Sequence, residues 1–123
     1  MHTAGEFLQH KQSSELHAIG PDAAVIDAIR MMDAHDIGAV LVMQGDTLLG
    51  LLSERDCARK VMLRNRSSIT TKVSEIMTRD VVTVTPETPL DECRNLIAQG
   101  QFRHLPVVSQ GKVLGILTAG ELW

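Results

Sequence analysis

The feature that most limits the fold of this chain is an internal repeat. Shifted by 65 positions, residues 17–58 align with residues 82–123 without a gap. Most aligned positions keep their apolar or polar character, and the identical pairs are Pro21/Pro86, Val42/Val107, Leu49/Leu114, Gly50/Gly115 and Leu52/Leu117. A repeat of this size is too small to build a good core alone. We therefore expect the two repeats to pack on each other as one pseudo-symmetric module.

Hydrophobic periodicity predicts the same element order, β-α-β-β-α, in each repeat. Each repeat begins with a short apolar strand before a proline and continues with an amphipathic helix. Two apolar strands joined by a tight turn follow, and a last helix begins at Ser53 or Thr118. The predicted strands are Leu16–Ile19, Ala39–Met43, Leu48–Leu52, Val81–Val84, Leu105–Val108 and Val113–Leu117. The predicted helices are Ala24–His35, Pro89–Gln99 and a helix from Ser53 to about Leu63.

The predicted fold class is therefore mixed α/β (α+β), with two β-α-β-β-α repeats. We place repeat 1 at residues 5–63, a linker at residues 64–72 and repeat 2 at residues 73–123.

Length and composition are those of an ordinary globular domain. The 123 residues are 44% hydrophobic and 22% charged, close to the averages for globular proteins. The longest apolar run, Ile37–Met43, has seven residues, whereas a membrane-spanning helix needs about 20. Residues 1–12 also lack the pattern of a secretory signal. We therefore expect a cytoplasmic protein that does not bind membranes.

Scarce residue types disfavour several classes of function. Phe7, Phe102 and Trp123 are the only Phe, Trp or Tyr residues, too few for a surface on which nucleic-acid bases stack. Cys57 and Cys93 are too far apart for a CxxC site, and we predict that both are buried. The five histidines lack metal-binding spacing, and no phosphate-binding glycine loop or nucleophile motif occurs. We therefore expect no nucleic-acid binding, no metal and no enzymatic activity.

Charge is distributed unevenly along the chain. Residues 54–79 contain seven basic and three acidic side chains, whereas residues 1–53 contain two basic and seven acidic ones. The basic segment is either a solvated linker surface or a rim that attracts phosphate. The sequence leaves both interpretations open.

The clearest local motif is a hydroxyl residue at a strand end, followed by an acid three positions later. It occurs once from Ser53 to Asp56 and again from Thr118 to Glu121. Both are capping boxes, which satisfy N–H groups at a helix start and contribute about 1 kcal/mol. The same acid can also accept hydrogen bonds from two ribose hydroxyls, and the helix start beside it favours a phosphate. The two interpretations are compatible.

Together these segments resemble a tandem pair of CBS domains, also called a Bateman module. The resemblance rests on VTVTPETPLDE (residues 82–92), FRHLPVV (102–108) and KVLGILTAGEL (112–122), and on AIGPDAAVIDAI, IGAVLVM and LLGLLSERD in the first repeat. It covers residues 5–123. No single motif is specific, but their order and their duplication are.

The resemblance implies a non-enzymatic regulatory or sensor module. CBS pairs bind adenosine-containing ligands in two clefts between the repeats and report occupancy to a partner. The implied ligand is an adenine nucleotide, AMP first, followed by ATP, ADP, NAD and S-adenosylmethionine. Its ring would lie between aliphatic side chains, and the sequence does not identify the regulated protein.

Carried over by motif position, the resemblance implies two sets of ligand-binding residues. One cleft would contain Ser53, Arg55, Asp56, Thr85, Arg103 and His104, and the other Thr118, Gly120, Glu121, Gly20, Gly38 and Ala39. The first set has two arginines and a histidine, whereas the second has no cation and has Glu in place of the family's usual Asp. We therefore expect one competent phosphate site and one degraded or adenosine-only site.

The sequence leaves two other functions open and predicts one assembly state. The chain could instead be a dimerising interaction module with a vestigial cleft, or a regulatory segment for an enzyme on another chain. The helices Ala24–His35 and Arg55–Leu63 carry more apolar residues than one sheet face needs. Because CBS pairs resemble one another in forming disc-like dimers through their helices, we expect a homodimer with a helical interface.

Overall fold

The computed structural model describes residues 2–11, 16–100 and 102–123. In chain order the elements are α1 (Ala4–His10), β1 (Ala18–Ile19), α2 (Val25–His35), β2 (Ala39–Gln44), β3 (Thr47–Ser53), α3 (Glu54–Cys57), α4 (Val73–Ile76), α5 (Leu90–Gly100), β4 (His104–Ser109), β5 (Lys112–Thr118) and α6 (Ala119–Leu122). A π-helical turn, Ala58–Met62, continues α3. The hairpins and the two long helices confirm the sequence predictions to within one residue at each end.

The chain divides into two compact units. The central unit is residues 17–80, and the terminal unit combines residues 1–16 with residues 81–123. This division differs from the sequence repeats, because each unit receives a short helix from outside its own β-α-β-β-α segment. The helix is α4 in the central unit and α1 in the terminal unit.

The central unit is a three-stranded sheet covered by helices. Its strand order is β1-β2-β3, with β1 parallel to β2 and β2 antiparallel to β3. The β2 residues Ala39–Val42 are all buried, as expected for a strand with apolar contacts on both faces. The core contains Val25, Ala28, Met32, Val40, Val42, Leu52, Cys57, Val61, Val73, Ile76 and Met77.

The terminal unit is built around the antiparallel hairpin of β4 and β5. Helices α5 and α6, together with α1, supply the rest of its core. Buried there are Ala4, Val84, Leu90, Cys93, Ile97, Leu105, Val107, Leu117 and Leu122. Cys57 and Cys93 are both buried and free, which confirms the prediction made for them.

The predicted strand Val81–Val84 is wrong, because only Val84 pairs with β4, through a single bridge to Val107. The cause is a proline. In the central unit the N–H of Leu41 donates to the carbonyl of His17 at 2.9 Å. The repeat places Pro106 at the position of Leu41, and a proline has no N–H to donate.

Helices α1 and α4 make equivalent backbone contacts in their two units. In the central unit Val73 N donates to Ala23 O and Ser74 N donates to Pro21 O, both at 2.9 Å. In the terminal unit the corresponding bonds are Ala4 N to Thr88 O and Gly5 N to Pro86 O, both at 2.8 Å. Residues 2–9 are therefore the structural counterpart of residues 71–78, at a spacing of 69 rather than 65.

The equivalence extends to a glycine in each hairpin. A Cβ on Gly50 would lie 2.6 Å from the carbonyl oxygen of Thr78, just after α4. A Cβ on Gly115 would lie 2.7 Å from the side chain of Leu8 in α1. Both glycines allow the added helix to approach the hairpin closely.

The longest helices, α2 and α5, have 11 residues each. Within the described part of the chain, no helix has the length and apolar character needed to span a bilayer.

Candidate functional site

The junction of β3 and α3 holds the first predicted acid. Ser53 is the N-cap of α3, and its hydroxyl accepts from Asp56 N at 3.1 Å. The Asp56 carboxylate accepts in return from Ser53 N at 3.0 Å and from the Ser53 hydroxyl at 3.1 Å. The capping box predicted from the sequence is therefore present.

Two further donors contact the Asp56 carboxylate. Lys60 Nζ lies 3.0 Å from Asp56 Oδ1, and the Thr78 hydroxyl lies 3.3 Å from the same oxygen. Asp56 itself is only 9% exposed. A buried carboxylate requires such partners, since an unpaired buried charge is costly. Asp56 thus ties α3 both to the π-helical turn and to the segment after α4.

The junction of β5 and α6 holds the second predicted acid. Glu121 Oε1 accepts from Thr118 N at 3.2 Å and from the Thr118 hydroxyl at 2.8 Å. Its cationic partner is Lys11, whose Nζ lies 3.0 Å from Glu121 Oε2. Lys11 also donates to the carbonyl of Ile116 at 2.8 Å. Both predicted acids therefore cap a helix and form an ion pair with a lysine. The two lysines do not lie at equivalent positions of the two repeats.

In each unit the first strand of the hairpin begins beside the predicted acid. In the central unit Glu54 N donates to Gly38 O at 3.0 Å, and Ala39 pairs with Ser53 across the hairpin. Neither residue brings a cationic side chain to this end of the hairpin.

The terminal unit has the same geometry with different side chains. Ala119 N donates to Arg103 O at 2.9 Å, and His104 pairs with Thr118 across the hairpin. Arg103 is exposed and His104 is half-buried. Arg55 and Arg103 have no ion-pair partner in residues 2–11, 16–100 and 102–123, whereas Lys60 and Lys11 have theirs.

Of the remaining predicted residues, Thr85 and Gly20 lie in loops after the first strand or strand-like segment, whereas Gly120 lies in α6. Thr85 is exposed, and its N–H donates to the Thr88 hydroxyl at 3.1 Å. Gly20 is exposed and would accept a Cβ without contact, as would Gly120 in α6. Both predicted sets combine residues of the central unit with residues of the terminal unit, and their assembly into clefts stays a prediction.

Sequence reasoning missed Lys60, Thr78 and Lys11 as partners of the acids. The spacing of Asp56 and Lys60 is i, i+4 on a helix and could have indicated that pair. Thr78 and Lys11 carry no local signal, because they reach the acids through α4 and α1, whose equivalence appears only at the spacing of 69.

The thiol next to Asp56 is unsuited to nucleophilic chemistry. Burial, together with the negative charges of Asp56 and Glu54, raises the pKa of Cys57 to about 11. Burial likewise raises the pKa of Cys93. Both thiols are therefore protonated near neutral pH, and a protonated thiol is a poor nucleophile. Among the described residues, no three His, Cys, Asp or Glu side chains group so as to hold a metal ion.

The CBS domain family model matches the chain twice, at residues 9–63 and 73–122. The CBS domain-containing protein CBSX3, mitochondrial, of Arabidopsis thaliana is 36% identical over 106 residues, which are 82% of this chain and 52% of that protein. The CBS domain-containing protein YhcV of Bacillus subtilis (strain 168) is 32% identical over 110 residues, 89% of this chain and 78% of YhcV. The chain thus spans about half the length of the first relative and most of the second.

Solved structures share the fold over nearly the whole chain. The CBS domain structure of NE2398 is 43% identical with a TM-score of 0.93, and the match covers 99% of this chain and 95% of that one. A Burkholderia ambifaria MC40-6 protein with CBS domains is 41% identical with a TM-score of 0.94, at 98% and 90% coverage. CBSX2, solved in complex with AMP, is 27% identical with a TM-score of 0.81, at 99% and 94% coverage. The predicted resemblance and the mixed α/β fold class are confirmed.

Proposed function

Because the chain belongs to the CBS-domain family, we propose that it is a non-enzymatic regulatory module that binds an adenine nucleotide, with AMP as the first ligand. The observation that carries this proposal is the duplicated acid at a helix start, Asp56 in one unit and Glu121 in the other. Such an acid suits the two hydroxyls of a ribose, and the helix start beside it favours the phosphate. Support for AMP comes from CBSX2, a relative in fold that was solved with AMP.

The two proposed sites differ in their cations. The first would combine Asp56 with His104 and with the exposed guanidinium groups of Arg55 and Arg103, which have no ion-pair partner among the described residues. Arginine binds phosphate oxygens through charge-assisted hydrogen bonds. The second combines Glu121 with glycines and an alanine. We therefore propose that the first site binds the nucleotide with its phosphate, and that the second binds adenosine weakly or not at all.

Binding of a ligand between the repeats would change the equilibrium between arrangements of the two units, and a partner protein would read that change. This coupling requires that the ligand bind one arrangement more tightly than the other. A thermal-shift panel with adenosine, AMP, ADP, ATP, NAD and S-adenosylmethionine tests the proposal. We expect AMP to raise the melting temperature of the purified protein. If no adenine ligand raises it, and calorimetry also finds no binding, the proposal is wrong.

A second function, self-association, is favoured by the end of the α3 helical run. Met62 is 72% exposed and Leu63 is 75% exposed. Of the other apolar residues in the helices predicted at Ala24–His35 and Arg55–Leu63, Val25, Met32 and Val61 are buried in their own unit, and Ile29 and Met31 are partly buried against its core. We therefore propose a homodimer whose contact includes Met62 and Leu63, a smaller apolar patch than the sequence suggests.

A further inference from the structure

The ammonium group of Lys60 contacts the carboxylate of Asp56, the acid to which we assign the ribose hydroxyls. We propose that Lys60 sets the selectivity of the nucleotide site for phosphorylated over unphosphorylated ligands. This inference rests on the proposed function, because it concerns the same acid. Lys60 lies outside the sequence motifs of the predicted site. It would weaken the binding of adenosine and strengthen the binding of a phosphorylated ligand.

First, the carboxylate of Asp56 is already in contact with several donors of the protein. Asp56 Oδ2 is held by Ser53, through the N–H at 3.0 Å and the hydroxyl at 3.1 Å. Asp56 Oδ1 is held by Lys60 at 3.0 Å and by Thr78 at 3.3 Å. A carboxylate offers about four lone-pair positions, and four donor groups, Lys60 as an ion pair among them, lie within 3.4 Å of the two Asp56 oxygens. A ribose can therefore bind Asp56 only by displacing a donor.

The second step identifies the donor that leaves. The contacts from Ser53 belong to the helix cap, and one of them comes from a backbone N–H that cannot move away. Lys60 is held through a flexible four-carbon side chain that is 45% exposed. Its ammonium can move away from the carboxylate towards solvent, whereas the Thr78 hydroxyl is carried by backbone that is hydrogen-bonded to Leu51 in both directions, so Lys60 is the donor that a ribose hydroxyl replaces most easily. A neutral nucleoside therefore competes with Lys60 for the acid.

The third step concerns charge. Without a lysine beside it, the Asp56 carboxylate would repel the phosphate of a bound nucleotide, because the two anions would lie within a Debye length of each other. Lys60 is anchored on the carbonyl of Ile76 at 3.0 Å as well as on Asp56. The ammonium can leave the carboxylate oxygen and still remain close enough to offset its charge. A phosphorylated ligand therefore gains from Lys60, whereas adenosine only competes with it.

The test is isothermal calorimetry of Lys60→Met with AMP and with adenosine. We expect adenosine to bind about two- to five-fold more tightly than to wild type, the change associated with removing a half-exposed ion pair. We expect AMP to bind about threefold more weakly, so the preference for AMP falls by about tenfold. Lys60→Arg keeps the charge and should keep most of the preference.

The matched control is Lys72→Met, which removes the same charge from the same unit. Lys72 pairs with Asp22 at 3.8 Å and touches neither acid. We expect its preference for AMP to equal that of wild type. Lys60→Gln serves as a second variant if Lys60→Met does not fold, and melting curves check both.

The possible results separate failure of the inference about Lys60 from failure of the proposed function. If wild type binds AMP but the uncharged variants Lys60→Met and Lys60→Gln keep its preference for AMP over adenosine, the inference is wrong and the proposed function stands. The inference is also wrong if the preference falls as much in Lys72→Met. If wild type binds neither AMP nor adenosine, the inference fails together with the choice of AMP as the first ligand, and the thermal-shift panel decides whether another adenine ligand binds.

Discussion

Asp56 has a structural role that would conflict with its proposed role in ligand binding. It caps α3 through Ser53, and it holds Lys60 and Thr78 in a position with little solvent access. As a ligand-binding acid it must release some of these contacts. Affinity at Asp56 is therefore the difference between ligand bonds gained and internal bonds lost, and a change at this residue alters stability and binding together.

The first prediction compares the two acids. Asp56→Ala should weaken AMP binding by about tenfold or more, since hydrogen bonds to a charged acceptor contribute about 1.5–3 kcal/mol. Glu121→Ala should have a much smaller effect, because its proposed set contributes no arginine or histidine and the Glu121 carboxylate is already paired with Lys11. Calorimetry measures both affinities, and equal losses, or none at Asp56, would contradict a single dominant site.

Ser53→Ala is the control for the helix cap. It removes the hydroxyl but leaves the carboxylate, at an expected cost of about 0.5–2 kcal/mol in unfolding free energy. Binding should decline less than in Asp56→Ala. Chemical denaturation of all three variants separates loss of fold from loss of ligand contact.

The second prediction concerns Cys57. Its pKa is raised from 9.0 to about 11 in the folded protein, so the unfolded thiol ionises at a lower pH than the folded one. The resulting contribution to stability is fully present below pH 9 and declines as the pH rises towards about 11. In Cys57→Ala the unfolding free energy should decline less over this interval. Denaturation curves at pH 8 and pH 10.5 measure the difference, and parallel declines in both proteins would refute it.

At the scale of elements, the repeat predicts the hairpins, α2 and α5, but not the helices that complete each unit. The predicted elements have strong apolar periodicity over six to eleven residues. By contrast, α4 has four residues and α1 has seven, lengths at which a helix has little stability of its own. They form because their apolar side chains pack against a hairpin, and their register differs from that of the main repeat.

The local motifs of the candidate site could be predicted from the sequence, whereas the contacts that depend on packing could not. The acids and their caps are local motifs, so Ser53, Asp56, Thr118 and Glu121 follow from sequence alone. Lys60 lies one helical turn after Asp56 and could have been found by its spacing. Thr78 and Lys11 reach the acids from the segments after α4 and α1, and packing decides their positions. Likewise, Val81–Val84 does not form the predicted strand because of Pro106, a residue of the neighbouring strand β4.

The third prediction concerns the approach of α1 and α4 to the hairpins. In Gly50→Ala the new Cβ would lie 2.6 Å from the backbone oxygen of Thr78, which cannot move without shifting the chain. In Gly115→Ala it would meet the end of the Leu8 side chain, which can rotate. We expect Gly50→Ala to lower the unfolding free energy by about 1–3 kcal/mol and Gly115→Ala by less. Denaturation of both variants tests this order, and the reverse order would contradict it.

At the scale of the whole molecule, the exposed pair Met62 and Leu63 underlies the fourth prediction. Light scattering at micromolar concentration should give about twice the chain mass of 13.5 kDa. Replacing both residues by Asp should yield the monomer, because burying two carboxylates in an apolar contact is costly. Ile69→Asp is the control: Ile69 is 73% exposed but lies outside the helices. A 13.5 kDa wild-type species that persists on concentrating would exclude the dimer.

The central claim is that the molecule binds an adenine nucleotide through both its ribose and its phosphate. Isothermal calorimetry of wild-type protein with AMP and with adenosine, at about 50 mM and 500 mM salt, tests it most directly. We predict that AMP binds more tightly than adenosine and that only AMP binding weakens at high salt, because salt screens the proposed contacts of its phosphate with Arg55 and Arg103. Equal affinities for the two ligands, unchanged by salt, would contradict the phosphate site.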